Sequence, residues 1–359
     1  MKIALLNLPF DSNYGGNLQR YALVKVLQDM GADVEHIFIM YRPVLKWYKK
    51  PIAITSRVIR RFLGKYSGSI YWERDYWQKY LTMYQDAIAF YNKYIPHTDL
   101  ITNKSKLNRL HTYDAYIVGS DQVWRKKIAS AFGLSTFFFD FLNVSTAPRY
   151  AYAVSLGTEE NELNDEEIKE LAPLYAKFID VSVRESSGLK LLANYGWNTP
   201  RPHLCLDPTL LLEAKDYNYL IEAAETKPCA GNLFCYILDK TPESDALVIE
   251  ESKKRGLIPF EQSLGQDGKS MTIEQWLRCF RDSDFIITDS YHGTVFSIIF
   301  KKPHITLKNN FRGNTRLDEL ERIFHSNEAV DYENNEKYRE LRGRSFEFLQ
   351  NIVNLLNKK

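Results

Sequence analysis

Short apolar runs alternate with longer amphipathic stretches along most of the chain. Uninterrupted apolar runs are typical of strands in parallel sheets, because both faces of such a sheet are covered, and amphipathic stretches are typical of the covering helices. The pattern predicts strands at residues 2–8, 34–38, 114–118, 149–154, 181–183, 203–206, 233–238, 258–260, 285–288 and 304–307. It predicts helices at residues 17–30, 165–176, 187–195, 246–255, 273–282, 293–300 and 337–357.

These strands are too many for one compact sheet, and 359 residues fit two domains at the usual ~100–200 residues each. We place the boundary after Asp207-Pro208, because the alternation restarts beyond the loop that follows. The first domain then covers residues 1–208 and the second covers residues 209–359. The final predicted helix is long enough to pack back on the first domain. The sequence therefore predicts an α/β protein with two parallel sheets.

A basic insertion at about residues 40–72 interrupts the alternation. From residue 36 to residue 72 the chain holds no Asp or Glu, and its cations are Arg42, Lys46, Lys49, Lys50, Arg57, Arg60, Arg61 and Lys65. The interleaved apolar residues suited to interfacial anchoring include Trp47, Ile59, Phe62 and Leu63. The segment is either a solvated insertion whose apolar side chains pack on the first domain, or a surface that meets anionic lipid or an anionic acceptor.

The composition limits the partners and the compartment. Lys and Arg number 47 against 45 Asp and Glu, so the net charge of +2 does not favour nucleic acid as a partner. No apolar run approaches the ~18–20 residues that span a bilayer. The four cysteines form no C-x-x-C pair, which argues against disulfides and zinc. We expect a cytoplasmic protein, or one that sits on a membrane from the cytoplasmic side.

The first predicted strand leads into a glycine-containing segment, NYGGNLQ, at residues 13–19. Glycine lets the backbone approach a ligand closely, and the N-terminus of the following helix offers free N–H groups and partial positive charge. An anion or a sugar hydroxyl would both fit, and a tight turn that needs glycine is the alternative. The segment is neither G-x-G-x-x-G nor a Walker motif. The candidate binding residues are Asn13, Tyr14, Gly15, Gly16 and Asn17.

A second predicted strand ends in small and polar residues within YDAYIVGSDQVW, residues 113–124. Asp121 is placed to accept a hydrogen bond or a proton from a sugar hydroxyl, and Trp124 is placed to stack on a sugar ring. The alternative is an Asx-capped loop with a tryptophan in the core.

Arg184 stands at the exit of a further predicted strand. A guanidinium there can bind a carboxylate or a phosphate through two hydrogen bonds. A salt bridge with Glu185 or with another acid is the alternative.

The predicted strand at residues 285–288 leads into a helix through a polar turn, whose residues are Asp289, Ser290, Tyr291, His292 and Gly293. His292 lies near the helix N-terminus, where the helix dipole lowers the pKa of the imidazole and favours its neutral form. A histidine held at such a turn is a candidate general acid or base. A structural histidine with satisfied hydrogen bonds is the alternative.

Six segments, in this order, resemble the polysaccharide pyruvyl transferase family: NYGGNLQRYAL, YDAYIVGSDQVW, RYAYAVSLG, SVRESSG, LDPTLLL and FIITDSYHGTVFSIIFKKP. The resemblance covers about residues 1–320. It implies two Rossmann-like domains in a GT-B-like arrangement, with the acceptor on the first domain, the donor on the second and the active site in the cleft between them. It implies phosphoenolpyruvate as donor and a sugar diol of a surface or capsular polysaccharide precursor as acceptor, joined as a pyruvate ketal. It also implies that Arg184 and His292 contact or activate the donor.

The chain departs from the family pattern at one position. Some members of the family carry an arginine two residues before the histidine, where this chain has Ser290. Arg312, Arg316 or Lys308 would be in position to supply the missing charge. The expected donor-binding residues are Arg184, Ser290, Tyr291, Gly293, Arg312 and Arg316.

Ketal formation from an enol phosphate sets its own chemical requirements. The methylene carbon needs a proton, the next carbon passes through an oxocarbenium-like state, two hydroxyls attack it, and cations must hold a carboxylate and a departing phosphate. An arginine, a helix N-terminus and a titratable histidine meet these requirements, so we expect neither a metal nor an organic cofactor. Asp121 or Asp289 would deprotonate the acceptor or orient its neighbours. The resemblance also suggests an acceptor carried on a lipid.

Two other functions stay open from the sequence. The first is a GT-B glycosyltransferase that uses a nucleotide-sugar, with the glycines of the first segment facing a diphosphate. The second is a protein that binds a glycan or an anion without catalysis.

Overall fold

The strands of the computed structural model separate into two sheets in which every strand pair is parallel. The structure describes residues 1–42, 45, 47–110, 112–129, 132–142, 146–261, 271–308, 314–324 and 332–358; Lys46 and Arg312 lie outside these ranges, and so does the side chain of Trp47. The strands are β1 (Lys2–Leu6), β2 (Asp33–His36), β3 (Ala115–Val118), β4 (Arg149–Val154), β5 (Phe178–Val183), β6 (His203–Leu204), β7 (Leu233–Tyr236), β8 (Pro259–Glu261), β9 (Phe285–Thr288) and β10 (His304–Thr306).

The first sheet has the strand order β2-β1-β3-β4-β5-β6 and the second has the order β10-β9-β7-β8. The helices are α1 (Tyr14–Asp29), α2 (Lys50–Phe62), α3 (Trp72–Met83), α4 (Gln85–Tyr94), α5 (Lys126–Ala129), α6 (Asp165–Tyr175), α7 (Ser186–Asn194), α8 (Ala214–Glu222), α9 (Pro242–Arg255), α10 (Ile273–Asp282), α11 (Tyr291–Ile299), α12 (Thr315–Phe324) and α13 (Glu336–Asn357). Each predicted strand overlaps an observed one, and the predicted α/β class with two parallel sheets is confirmed.

Burial explains why the strands are apolar throughout. Every residue of β3, β4 and β9 is buried, because helices cover both faces of each sheet. The covering helices are amphipathic, and α10 buries Trp276, Leu277 and Phe280 on one side.

Aromatic contacts join the two halves of the molecule. Tyr14 at the start of α1 stacks on Trp276 of α10, with ring centroids 5.3 Å apart and planes at 9°. From the C-terminal end, Phe348 of α13 packs against Tyr152 of β4 at 5.8 Å. Two parallel α/β units therefore face each other across a cleft, which is the GT-B-like arrangement that the sequence predicted. In the described part of the chain, no helix combines the length and the apolar character needed to cross a membrane.

Candidate active site

A cleft of about 380 Å³ lies between the carboxyl ends of the two sheets. From the first half of the chain its wall includes Asn13, Gly15, Asp121, Gln122 and Arg125. From the second half its wall includes Asp239, Asp289, Ser290, Tyr291, His292 and Arg316. The carboxyl ends of parallel strands are the expected place for a ligand in such sheets.

The N-terminus of α1 forms one wall of the cleft. The helix begins at Tyr14, earlier than predicted, so Gly15 and Gly16 belong to its first turn instead of a loop. Asn13 caps the helix, because its side-chain oxygen accepts a hydrogen bond of 3.0 Å from the backbone N–H of Gly16. The first turn therefore presents backbone N–H groups and the positive end of a 16-residue helix to the cleft.

Two other residues that the sequence predicted for the acceptor site, Asn17 and Tyr14, form hydrogen bonds that stabilise this wall. The Asn17 side chain is buried and donates hydrogen bonds of 3.0 Å to the carbonyl oxygens of Asp11 and Asn13. The Tyr14 hydroxyl donates to the carbonyl oxygen of Met271 at 3.0 Å. The structure thus brings Asn13 and Gly15 to the cleft, whereas Asn17 and Tyr14 fix the turn and its contact with the second sheet.

The N-terminus of α11 forms the facing wall. Ser290 caps this helix by accepting a hydrogen bond from the backbone N–H of Gly293 at 3.4 Å. Gly293 has no room for a side chain, because a Cβ there would lie 2.1 Å from Oγ1 of Thr288. Tyr291 and His292 occupy the first turn and line the cleft. Two helix N-termini therefore converge on one cavity, which favours an anion there.

Gly15 and His292 bring the two walls into contact. A Cβ built on Gly15 would lie 2.0 Å from Nδ1 of His292, far closer than van der Waals contact permits. By contrast, a Cβ on the neighbouring Gly16 would have its nearest neighbour at 3.7 Å. The need for glycine at residue 15 is therefore the close approach of the imidazole.

The His292 imidazole is buried and neutral at physiological pH. Burial lowers its pKa to about 4, and the raising effect of Asp207 and Asp121 only partly opposes this. The sequence predicted a lowered pKa but attributed it to the helix dipole, whereas desolvation is the larger cause. Nε2 lies 3.9 Å from Oδ2 of Asp207 and forms no hydrogen bond with any described residue. This nitrogen is itself buried and is directed towards Asp207.

Asp207 is a site residue that the sequence analysis missed. It follows β6, is fully buried, and its Oδ2 accepts hydrogen bonds from Gln19 at 2.6 Å and from Arg184 at 2.5 Å. Its Oδ1 accepts two more from Thr209. Burial alone would raise the pKa of Asp207, but the charge of Arg184 together with the hydrogen bonds from Thr209 and Arg184 lowers it. The sequence did contain a signal for Asp207, because this residue follows the predicted strand at residues 203–206 and the other candidate residues also follow the carboxyl ends of predicted strands.

Asp121 lines the cleft as an ionised carboxylate. Burial by itself would raise the pKa of Asp121, but the positive charges of Arg184 and Arg316 lower it below its ordinary value. Its Oδ1 lies 3.3 Å from a guanidinium nitrogen of Arg184. The backbone of Asp121 has a positive φ of 73°, a conformation that Asp tolerates better than most residues.

Arg184 lies beneath the cleft wall, not in it. Its side chain is almost fully buried and forms ion pairs with Asp207, Asp121 and Glu185. Its guanidinium carbon is 4.5 Å from the ring centroid of Tyr291. Three carboxylates and a ring surround the guanidinium, so the salt bridges that the sequence offered as the alternative are present, and donor binding by Arg184 stays a prediction.

Among the described residues, Arg316 and Arg125 line the cleft with guanidinium groups. Arg316 is in the first turn of α12, with its guanidinium carbon 5.6 Å from the ring centroid of Tyr291. Arg125, which the sequence analysis did not single out, is oriented by Glu162 at 3.1 Å and by Gln122 at 2.8 Å. Lys308 instead has a 62% exposed side chain that pairs with Asp318.

The remaining predicted residues have structural contacts. Asp289 lines the cleft, and its two carboxylate oxygens accept hydrogen bonds from the backbone N–H groups of Leu238 at 2.7 Å and Asp239 at 3.0 Å. Trp124 is in the core of the first domain, stacked on Phe138 with its ring nitrogen donating to the carbonyl oxygen of Phe137. The alternative of a core tryptophan therefore holds, and Trp124 does not reach the cleft.

Comparisons with known proteins identify the family to which the chain belongs. The family model of polysaccharide pyruvyl transferase matches residues 13–310. Similar solved structures include UDP-GlcNAc 2-epimerases from Methanocaldococcus jannaschii (11% identity, 100% of both chains, TM-score 0.49) and from Neisseria meningitidis bound to UDP-GlcNAc (11% identity, 100% of both chains, TM-score 0.47). Another is the glycosyltransferase SsfS6 from Streptomyces sp. SF2575 (12% identity, 99% of both chains, TM-score 0.38). The comparison with curated proteins gave no significant match. Since the family model matches most of its length, the chain belongs to the polysaccharide pyruvyl transferase family.

Proposed function

We propose that the protein transfers the pyruvyl group of phosphoenolpyruvate to two hydroxyls of a sugar, forming a pyruvate ketal and releasing phosphate. The observation that carries this proposal is the cleft in which two helix N-termini, two arginines and a neutral histidine converge. Phosphoenolpyruvate carries a carboxylate and a phosphate, and so needs two sets of positive or N–H partners close together.

The donor would bind between α11 and Arg316. The helix N-terminus offers backbone N–H groups from residues 291 and 292, and Arg316 offers a forked guanidinium in the same cleft, beside the ring of Tyr291. Arg125, on the opposite wall, is positioned to hold the second anionic group. Arg316 thus takes the role that an arginine at residue 290 has in other members of the family.

The acceptor would lie along the first domain, against Asn13, Gly15 and Asp121. The Asp121 carboxylate can accept a hydrogen bond from a sugar hydroxyl and orient it towards the donor. We propose that the sugar belongs to a surface or capsular polysaccharide precursor, carried on a lipid at the cytoplasmic face of the membrane.

His292 would move the protons. Each of the two sugar hydroxyls loses one proton; one of these protons is needed by the methylene carbon of the donor and the other by the departing phosphate. A neutral imidazole accepts a proton from a hydroxyl. Because its pKa is about 4, the resulting imidazolium is more acidic than an ordinary one and readily gives the proton to the donor. One histidine used twice therefore balances the reaction.

Arg184 and Asp207 would position these groups without touching the substrates. Arg184 links Asp207, Asp121 and the ring of Tyr291, so it fixes parts of both walls. Loss of one partner in this buried ionic network would leave an uncompensated charge, which is strongly destabilising. The network therefore keeps these side chains in the positions that the structure shows. Asp289 similarly fixes the loop at residues 238–239.

The test is phosphate release from phosphoenolpyruvate in the presence of candidate acceptor glycans. We expect release that depends on both the donor and a sugar with a suitable diol. A parallel assay supplies nucleotide-sugars in place of phosphoenolpyruvate. Turnover of a nucleotide-sugar would identify a glycosyltransferase, and binding of glycan without any turnover would identify a non-catalytic protein.

A further inference from the structure

Helix α2 presents an apolar face to solvent. None of its 13 residues is buried, and Phe62 is 93% exposed and Ile52 is 71% exposed. Ile52, Ile59 and Leu63 recur at helical spacing, so their side chains lie on one side of the helix beside Phe62. We call these four residues the apolar stripe. Contiguous exposed apolar side chains on a protein surface mark a place where something binds.

The opposite face of α2 is fastened to the first domain. Arg57 forms an ion pair of 2.5 Å with Glu73 of α3 and donates a hydrogen bond of 3.0 Å to the carbonyl oxygen of Ile70. Lys50 and Ile54, on the same side as Arg57, line a cavity of about 200 Å³ between α2 and α3. Because this inner face is already occupied, the apolar stripe points away from the domain.

Cations surround the apolar stripe. Residues 36–72 contain eight Lys and Arg and no acid. Lys49, Arg60 and Arg61 form no ion pair with any residue that the structure describes. Arg42, Lys50 and Arg74 line the cavity beside the helix, where a phosphate could enter. The surface thus combines exposed apolar side chains with an excess of positive charge.

Exposed apolar side chains together with an excess of positive charge favour one kind of partner for α2 over another. A second copy of the chain would bring together two surfaces that each carry an excess of positive charge, and these repel each other. An anionic membrane matches both features, because its acyl chains receive apolar side chains and its phosphates attract Lys and Arg.

We propose that α2 docks the protein on an anionic membrane, with the apolar stripe inserted below the headgroups and Lys49 and Arg60, which lie beside the stripe by helical spacing, at the lipid phosphates. The purpose of this docking rests on the proposed function, since it would bring the cleft to a lipid-carried acceptor. The docking itself does not depend on catalysis and is measured separately.

The test is flotation of the full chain with vesicles of phosphatidylcholine alone or mixed with phosphatidylglycerol. We expect binding to the mixed vesicles at low salt and its loss at high salt, where charges are screened. Changing Lys49, Lys50, Arg60 and Arg61 together to Gln should weaken binding about tenfold or more. Changing Ile52, Ile59 and Phe62 to Ser should abolish stable binding at every salt concentration.

Matched controls change equivalent residues on α9. Ile249 is exposed on that helix, so Ile249→Ser removes exposed apolar area elsewhere, and Lys253→Gln removes an exposed charge elsewhere. Both controls should bind vesicles like the wild type, and all variants should keep wild-type thermal unfolding and activity on a soluble acceptor. Failure of the wild type to float with anionic vesicles at low salt would overturn the proposal, as would equal flotation of the α2 variants. Absence of pyruvyl transfer with normal flotation would overturn the proposed function alone.

Discussion

Gly15 and His292 touch across the cleft, so that a Cβ at residue 15 would lie only 2.0 Å from Nδ1 of the imidazole. The two residues stand in the first turns of α1 and α11, helices that follow strands of different sheets. Their contact means that the first turn of one helix sets the position of the histidine on the other. The proposed proton carrier is therefore placed by both halves of the molecule.

Gly15→Ala should lower kcat strongly, because the added methyl group displaces the imidazole or separates the walls. A shift of about 1 Å in a catalytic group can cost about 10²-fold in rate. Gly16→Ala is the matched control, since its Cβ has only ordinary contacts at 3.7 Å. That control should retain activity and gain up to about 1 kcal/mol of stability, because Ala favours the helix. Equal kcat values for the two variants would disprove the role of the Gly15 contact.

Arg316→Gln should raise the KM for phosphoenolpyruvate by about ten- to a hundredfold, the effect of losing a charge-assisted hydrogen bond of about 1.5–3 kcal/mol. The KM for the acceptor should change much less. Lys308→Gln removes a nearby positive charge that pairs with Asp318 instead of lining the cleft, and serves as the control. Steady-state kinetics with each substrate varied in turn give the answer. If Lys308→Gln impaired donor binding and Arg316→Gln did not, the assignment would be reversed.

Arg184→Lys should lower kcat more than it raises the KM for the donor, because Arg184 positions Asp207, Asp121 and Tyr291 without contacting the substrate. Arg184→Ala should also lower the free energy of unfolding by about 3–5 kcal/mol, since it strands buried carboxylates. Urea unfolding and steady-state kinetics measure the two effects. A selective rise in the donor KM, with stability unchanged, would instead make Arg184 a direct ligand of phosphoenolpyruvate.

His292 should make the protein less stable as the pH falls from about 6.5 to about 4. Its pKa is about 4 in the folded protein, so in this range the unfolded chain takes up a proton that the folded chain does not. The stability difference between wild type and His292→Gln should therefore shift towards the variant by up to about 1.4 kcal/mol per pH unit. Asp121 and Asp207 also lose stabilisation on acidification, but they do so in both proteins. Parallel urea titrations that show a constant difference would contradict a buried neutral imidazole.

The strands and the edge of the sheet that carries the site could be predicted from the sequence, because buried parallel strands are apolar throughout. Helices α3, α4, α5, α8 and α12 were not predicted. Helix α2 was not predicted either. Its inner face is fastened by an ion pair and its apolar face is exposed, so it lacks a stripe that packs on a core.

For a residue that follows a strand, the sequence predicted that it lies near the cleft, but it did not predict which side chains it contacts. Asp121 and His292 reach the cleft as expected, because the strand ends bring them there. The burial of Arg184 could not be predicted, because its partners Asp207 and Asp121 are distant in sequence. The sequence around Trp124 does not distinguish a ring that stacks on a sugar from one that stacks on Phe138, as this ring does.

The most direct test of the proposed reaction is mass spectrometry and NMR of an acceptor glycan incubated with the protein and phosphoenolpyruvate in D₂O. The product should gain the mass of one pyruvate less one water, and its new methyl group should carry one deuterium, because the methylene carbon takes a proton during ketal formation. His292→Ala should lower the rate of this gain by about 10²–10⁴ while leaving the protein folded. A glycan that gains a sugar or an enolpyruvyl ether, or gains nothing over a wide range of acceptors, would contradict the account.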